Sequence, residues 1–543
     1  MTNHFRLSIA LLALLSVLAF LPGLASVPPI DRDEPRYVQA TKQMVESGNF
    51  VDIRLQDEPR YKKPIGIYWL QALAVEATGA DGSLWAYRLP SLVGAVLAVL
   101  GTVVAARTFL GRPAALAAGF LTLSIVVLSV ESHLGKTDAA LLGCVVWAQA
   151  ALARIWMARP RPSLLGWPFL FWVAVAAGVL VKGPIVLMVS GLTIAWLTLS
   201  DRANWRWLGR IRWLPGLLLL LALVLPWFVA IHLATDGAFF QEAVMKDFLG
   251  KAGSGQEGHW APPFTHLVLS VAVAWPVMPL TVAGAGAIWA ARATPAIRFL
   301  MAWAVPSWIV FEIVSTKLPH YTLPLLPALS IAVAAIYLEE SRPLEWRWLR
   351  WLGAFELASV AVLLFPATIA LPLVLGDQVS IVAVVLVAIA AVLAVQAARR
   401  VAADQDRVRA VLAVAGAGVI LNATAWGLVI PNLKSVWLAP RIADATAEVA
   451  GCPDPRLVSV GYREMSLVFL AGTDTLLASP EMAADAMKSE PCAVLAVVAR
   501  EKDVTLSAMA AKGVALQEVG QEEGVNIANG KRLDVTLYRR ATP

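Results

Sequence analysis

Charge is what this chain has least of. Only 15% of its 543 residues are Asp, Glu, Lys or Arg, against 59% hydrophobic, and the mean hydropathy is +0.69. A soluble globular protein carries about 25% charged residues, so a soluble enzyme is excluded and lipid must cover most of the surface. Cysteine is scarcer still, with three residues, too few for a disulfide scaffold. Cys144 sits in an apolar run and reads as inert packing, whereas Cys452 and Cys492 share the C-terminal polar region and could form one disulfide if that region lies outside the cytoplasm. His232, His259, His266 and His320 share no metal-ligand spacing, so they define no metal site. The glycine-rich stretch with Gly250, Gly253, Gly255 and Gly258 lacks the preceding strand and the Gly-Lys-Ser/Thr ending of a phosphate loop. A net charge of +6 could suggest nucleic acid, but there is no soluble basic domain and no stacking platform.

Apolar sequence fills the chain instead. Stretches of spanning length cover 7–26, 90–106, 114–130, 139–157, 164–181, 184–200, 214–232, 265–290, 299–315, 321–338, 351–375, 379–397 and 410–430, which makes about 13 spans. Ala25-Ser26 would suit a signal peptidase, but the spans that follow favour a retained first helix. Twenty-one Trp against eight Tyr fit anchoring in the headgroup zone. Alternate loops are rich in arginine: Arg107 and Arg112; Arg154, Arg159 and Arg161; Arg202, Arg206, Arg210 and Arg212; Arg292 and Arg298; Arg342, Arg347 and Arg350; Arg399, Arg400, Arg407 and Arg409. These read as cytoplasmic loops. The N-terminus is then inside, and residues 27–89, 233–264 and 431–543 face the other side.

The expected fold is mainly α, with a polytopic transmembrane helical domain over residues 1–430 and a small extracytoplasmic α/β domain over 431–543. Short apolar runs at Leu457–Val460, Leu467–Leu470 and Ala493–Val498 mark the second domain. Ala515–Val519 and Leu533–Tyr538, around Asn529-Gly530, predict a strand pair.

Ionisable residues at membrane depth are costly and mark function by default. The first external loop carries Asp31, Arg32, Asp33, Glu34 and Arg36, then Arg54, Asp57, Glu58, Arg60, Lys62 and Lys63. Tyr37, Ala40, Thr41, Met44 and Val45 are spaced as in an amphipathic helix over 35–47 lying along the membrane surface. Asp33 therefore stands at a helix start, where a plain N-cap is the competing role. Lys62 and Lys63 precede apolar sequence, where ammonium groups meet lipid phosphates or simply snorkel. Glu131 to Asp138, Lys182-Gly183-Pro184 and Ser315 to Tyr321 add charge at other external helix ends. The cations Arg36, Lys63, Lys182 and Lys317 and the acids Asp33, Glu34 and Asp138 thus map to one face. That combination suits handling a lipid-linked phosphate while activating an acceptor. Residues 233–264, with glycines near His259 and Trp260, read as a flexible loop able to order over a donor. A transporter or flippase would also use paired charges; the long first loop, the C-terminal domain and the lack of an inverted repeat favour an enzyme.

Asp33-Glu34-Pro35-Arg36-Tyr37, Tyr61-Lys62-Lys63-Pro64-Ile65 leading to Tyr68-Trp69, Lys136-Thr137-Asp138, Lys182-Gly183-Pro184 and Thr316-Lys317-Leu318-Pro319-His320-Tyr321 follow one another in an informative order. Over most of residues 1–340 they resemble the GT-C glycosyltransferases of family 39. The nearest branch is the aminoarabinose transferases of bacterial lipid A, with protein O-mannosyltransferases more distant. The resemblance implies an inverting glycosyltransferase that takes a sugar from a polyprenyl phosphate, undecaprenyl phosphate in bacteria, without a nucleotide sugar. The acceptor would be lipid A, another envelope glycan or a protein, on the periplasmic side of the inner membrane. It further implies Asp33 as principal carboxylate, Asp138 as the second and Glu34 as an orienting neighbour. Arg36 and Lys63, with Lys182 and Lys317, would hold the donor phosphate, and Tyr37, Lys62, His320 and Tyr321 would contact substrate. The chain departs from the aminoarabinose branch at Lys62, where an acidic residue commonly stands and can join a metal site. No cofactor is therefore expected, with a divalent metal left open.

Overall fold

The structure, a computed structural model, describes residues 3–158, 163, 165–200, 202–243, 261–340 and 343–541. Most of the glycine-rich segment over 233–264, including His259, falls outside the described residues.

The chain opens with α1 (Asn3–Phe20), continues through α2 (Glu34–Ser47) and a small hairpin of β1 (Arg54–Leu55) and β2 (Glu58–Pro59), then α3 (Gly66–Thr78) and α4 (Leu84–Ala106). Next come α5 (Arg112–Leu123), α6 (Val126–Ser132), α7 (Thr137–Met157), α8 (Trp167–Lys182) and α9 (Ile185–Leu199). Long apolar runs become helices because a helix satisfies every backbone donor and acceptor within itself. Among the described residues seven helices are long and apolar enough to cross a membrane, or nine if each of two bent pairs is one span. Helices over His4–Phe20, Trp167–Lys182, Ile185–Leu199 and Leu323–Glu339 are apolar but shorter, so length and composition alone support a polytopic bundle and not the full expected number.

The bent pairs obey the same backbone rule. α5 and α6 meet at 63°, and Thr265–Val273 meets Val277–Ala283 at 113°. The freed groups at these breaks find partners on neighbouring segments: Asn422 Nδ2 donates to Ser124 O at 3.1 Å, and Val126 N–H donates to Trp275 O at 3.2 Å. Small residues bring α4 and α7 together. A Cβ on Gly94 would lie 2.5 Å from Ala139 O, so the start of α7, with Asp138, is held against α4 at a distance only glycine permits.

The helix at Glu34–Ser47 has the expected pattern but a different location from the one expected. It does not simply lie on a membrane surface. Glu34, Tyr37, Val38, Ala40, Thr41 and Met44 are buried, and its polar side carries the C-terminal domain. There Gln39 Nε2 donates to Thr473 Oγ1 at 2.9 Å, and Lys42 Nζ donates to Phe469 O at 3.2 Å. The polar side of the helix is thus used to dock protein.

That domain is a five-stranded mixed sheet in the order β4-β3-β5-β7-β6. β3 (Arg456–Val460) pairs in parallel with β4 (Leu476–Ala478) and β5 (Ala493–Val498), while β7 (Arg532–Arg540) runs antiparallel to β5 and to β6 (Leu516–Val525). β5 is buried along its whole length, as a strand covered on both faces must be. The run at Leu467–Leu470 lies in a helix over Met465–Ala471, the element that meets α2. Cys452 and Cys492 are disulfide-bonded, and Cys144 is the free cysteine among the described residues.

Candidate functional site

Two charged clusters meet where α2, α3, α7 and α8 converge. The first grows from the Asp33-Glu34 pair, and the structure gives its two carboxylates opposite situations. Glu34 is 1% exposed and saturated. Arg88 donates to it through Nε and Nη2, both at 2.8 Å, while Gly135 N–H donates at 2.7 Å and Ile30 N–H at 3.0 Å. Arg88 spends its remaining donors on the carbonyls of Leu24, Val27 and Pro28. This is a structural hub joining the end of α1, the start of α2, α4 and the 133–136 turn. Gly135 is required there, since a Cβ would lie 2.8 Å from Val38 Cγ1 and 3.5 Å from Glu34 Oε1.

Asp33, one residue earlier, is exposed, and its side chain makes no capping hydrogen bond. Only its backbone carbonyl serves the helix, accepting from Arg36 and Tyr37 N–H. The competing N-cap role thus finds no support in the side-chain geometry. Among the described residues Asp33 and Arg36 carry no side-chain ion pair or hydrogen bond, and both reach solvent. Next to them Arg60 lies over the Tyr37 ring at 4.9 Å, and Tyr37 stacks at a tilt with Tyr68, centroids 5.7 Å apart. Lys62 and Lys63 are half-buried just before α3.

The second cluster is buried at the starts and ends of helices. Lys136 Nζ lies 3.0 Å from Glu131 Oε2 and 3.6 Å from Asp138 Oδ2, and Lys182 Nζ bonds to Asp138 Oδ1. His320 approaches both acids, 3.6 Å from Glu131 Oε1 and 3.6 Å from Asp138 Oδ1. Burial pushes the His320 imidazolium down to about 3, against the opposing pull of Asp138, so the ring is neutral at physiological pH and these approaches are not ion pairs. Burial works against the Lys136 ammonium, but Glu131 and then Asp138 outweigh it and hold its pKa above the ordinary range. Two carboxylates against two ammonium groups make the cluster nearly neutral, which is what permits its burial. Tyr321 completes it, its ring 5.8 Å from Lys182 Nζ. The two clusters are contiguous, because Tyr37 feels both Asp33 and Asp138, and Lys136 feels Asp33 as well as its own partners.

Of the residues singled out from sequence, Asp138, Lys182, His320 and Tyr321 are brought together, and Asp33, Arg36 and Tyr37 adjoin them. Lys317 is turned aside, donating to Ala261 O at 3.1 Å and Val314 O at 2.7 Å. Four participants were missed. Glu131, Lys136 and Arg60 stood inside quoted runs, but nothing in the sequence separates them from solvated neighbours. Arg88 had a usable signal, being an arginine at the mouth of the apolar run of α4. Among the described residues no group of three His, Cys, Asp or Glu side chains is arranged to hold a metal ion.

A helical bundle with a long first loop and a small sheet domain at the C-terminus is a GT-C fold like that of ArnT. Residues 62–229 match the family model for dolichyl-phosphate-mannose-protein mannosyltransferases. The fold covers 99% of this chain and 98% of ArnT from Cupriavidus metallidurans bound to undecaprenyl phosphate, with a TM-score of 0.75 at 21% identity. The oligosaccharyltransferase AglB from Archaeoglobus fulgidus is a more distant likeness, with a TM-score of 0.53 at 14% identity over 94% of this chain and 71% of that one. In sequence, the chain is 26% identical over 330 residues to an undecaprenyl phosphate-alpha-4-amino-4-deoxy-L-arabinose arabinosyl transferase of Pseudomonas paraeruginosa, covering 60% of this chain and 58% of that protein. It is 27% identical over 382 residues to a protein of the same name from Proteus mirabilis, covering 66% and 65%. The chain thus spans about three fifths of the length of the curated relatives it matches. The resemblance to GT-C glycosyltransferases drawn from the motifs is borne out.

Proposed function

We propose that this chain is an inverting glycosyltransferase that moves a sugar from undecaprenyl phosphate, or a related polyprenyl phosphate, to an envelope acceptor such as lipid A on the periplasmic face. The observation that carries the reading is the contrast within one site: among the described residues exposed Asp33 and half-buried Arg36 make no side-chain bond, while Asp138 and its lysines are fixed behind them. Thirteen spans complete the topology, counting the four shorter apolar helices and each bent pair as one. The N-terminus is then cytoplasmic and the C-terminal domain periplasmic. The Cys452–Cys492 disulfide supports that orientation, since such bonds persist in oxidising compartments.

Displacement at the anomeric carbon breaks its bond to the polyprenyl phosphate, which departs with the electron pair. Arg36 and Lys63 hold that phosphate, and charge developing on it is what preorganised cations stabilise best. Lys182 is tied to Asp138, so it acts by fixing that carboxylate, and Lys317 shapes the turn that carries His320. Asp138 binds sugar hydroxyls together with neutral His320 and Tyr321, while Tyr37 and Lys62 line the same opening. Asp33 lies on the acceptor side. For a hydroxyl acceptor it takes the proton as general base; for a phosphate it positions the substrate and steadies oxocarbenium character.

The test is transfer from radiolabelled undecaprenyl-phosphate sugar in membranes holding wild type, Asp33→Ala and Arg36→Ala at equal expression. Both variants are expected to lose transfer at least about 100-fold. Undiminished transfer in both sinks the site assignment, and movement of intact lipid across the bilayer without a glycosylated product would identify a flippase instead.

A further inference from the structure

Arg60 follows β2, and its N–H donates to Ile53 O at 2.8 Å, so the hairpin fixes where its side chain starts. The residue is 7% exposed. Its guanidinium rests on Tyr37, close enough to Asp33 and Tyr68 to feel both. Yet among the described residues it forms no ion pair; the Tyr68 hydroxyl stands within hydrogen-bonding reach of the guanidinium, while Nε is buried without an acceptor. A guanidinium has five donors, and leaving the Nε donor of a nearly buried one without an acceptor is costly. One aromatic face recovers only part of that cost.

Among the described residues the other buried acids of the site are already engaged. Glu34 is taken by Arg88, Glu131 by Lys136, and Asp138 by Lys182 and Lys136. The unused fork matches an oxyanion, which it can grip with two parallel bonds. An anionic acceptor approaching Asp33 and a donor phosphate would be repelled unless a cation stood beside that carboxylate, and Arg60 stands there. We propose that Arg60 is a specificity-determining residue that holds a phosphomonoester of the acceptor beside Asp33, leaving Arg36 and Lys63 to the donor phosphate. This rests on the transferase reading above. The held phosphate supplies an oxygen that is already anionic, so no proton is removed. That oxygen bonds to the anomeric carbon as the bond to the polyprenyl phosphate breaks, and the polyprenyl phosphate leaves with the electron pair.

The experiment uses the full chain in detergent, as wild type, Arg60→Gln and Arg60→Lys. Binding is measured to undecaprenyl phosphate, to lipid A bearing its phosphomonoesters, and to the same lipid A after phosphatase treatment, alongside the thermal midpoint. Arg60→Gln is expected to weaken binding of phosphorylated lipid A by about tenfold or more, the size of one lost charge-assisted contact, down to the dephosphorylated level. Undecaprenyl phosphate binding stays unchanged, Arg60→Lys recovers part of the loss, and the midpoint does not fall, because an unsatisfied charge has been removed. Equal loss for undecaprenyl phosphate would reassign Arg60 to the donor. Absence of any loss, or a lowered midpoint with all ligands weakened, would make it structural. Wild type that binds both forms of lipid A alike overturns the Arg60 assignment alone, whereas wild type that ignores undecaprenyl phosphate overturns the transferase reading and this inference with it.

Discussion

Asp33 and Glu34 are adjacent, share a charge and differ in everything else. Glu34→Gln removes one end of a buried ion pair whose side chains are 1% and 0% exposed, and breaking such a pair costs about 3–5 kcal/mol. The expected outcome is a large fall in thermal midpoint and in folded yield, measured by fluorescence-detected size exclusion after heating. Asp33→Asn should leave both unchanged while transfer falls by about 10² to 10⁴, because its side chain supports nothing in the fold. If the two variants lost stability equally, the division between anchor and reacting group would be wrong. The motif around these residues was legible in sequence, but their division of labour was not. It is decided by Arg88, 54 residues away from Glu34 along the chain, and no local spacing announces that contact.

At the scale of elements, the amphipathic pattern of α2 was readable and its partner was not. Period 3.6 says that one face is apolar and the other polar, whereas the identity of what covers the polar face depends on a sheet domain more than four hundred residues later. That junction also contains Asp31, whose Oδ2 accepts from the Tyr462 hydroxyl at 3.5 Å. Burial, reinforced by Glu464 against the hydrogen bonds of Ser466, pushes the Asp31 carboxyl up to about 7. The docked state therefore binds this proton more tightly than the open one. Docking should weaken as pH rises from the ordinary carboxylate range through about 7, and level off above that. Hydrogen exchange over 465–473 between pH 5.5 and 8 would show faster opening at the alkaline end in wild type, and no such trend in Asp31→Asn. Nearby, Arg32 adopts φ +93° and donates to Ala528 O at 2.6 Å. A non-glycine residue in that region persists only when its surroundings enforce it, so Arg32→Ala should loosen the same segment at every pH.

For the whole molecule, the bundle was legible because lipid imposes one rule on every span, and the arginine-rich loops gave a direction. The four shorter helices and two breaks follow from packing, through contacts such as Asn422 to Ser124, and so were visible only as apolar runs. In the C-terminal domain, the strand pair could be read from its turn residues and alternation, but the sheet order could not. The disulfide links residues 40 apart, and closing a loop of that length stabilises by about 4 kcal/mol in the chain-entropy picture. Cys452→Ser with Cys492→Ser should lower the unfolding midpoint of this domain on calorimetry. A second transition for the helical bundle should stay in place.

The knot of bonds around Arg88 also sets a limit on choreography. It ties the residue next to Asp33 to three carbonyls at the end of the first helix and to the turn that carries Lys136. The backbone that carries Asp33 is thus held in place from the next residue, while its carboxylate is left free to turn. On the proposed transferase reading, a long lipid would bring its reactive carbon to a backbone position set by Arg88, an arginine whose five donors are all spent inside the protein.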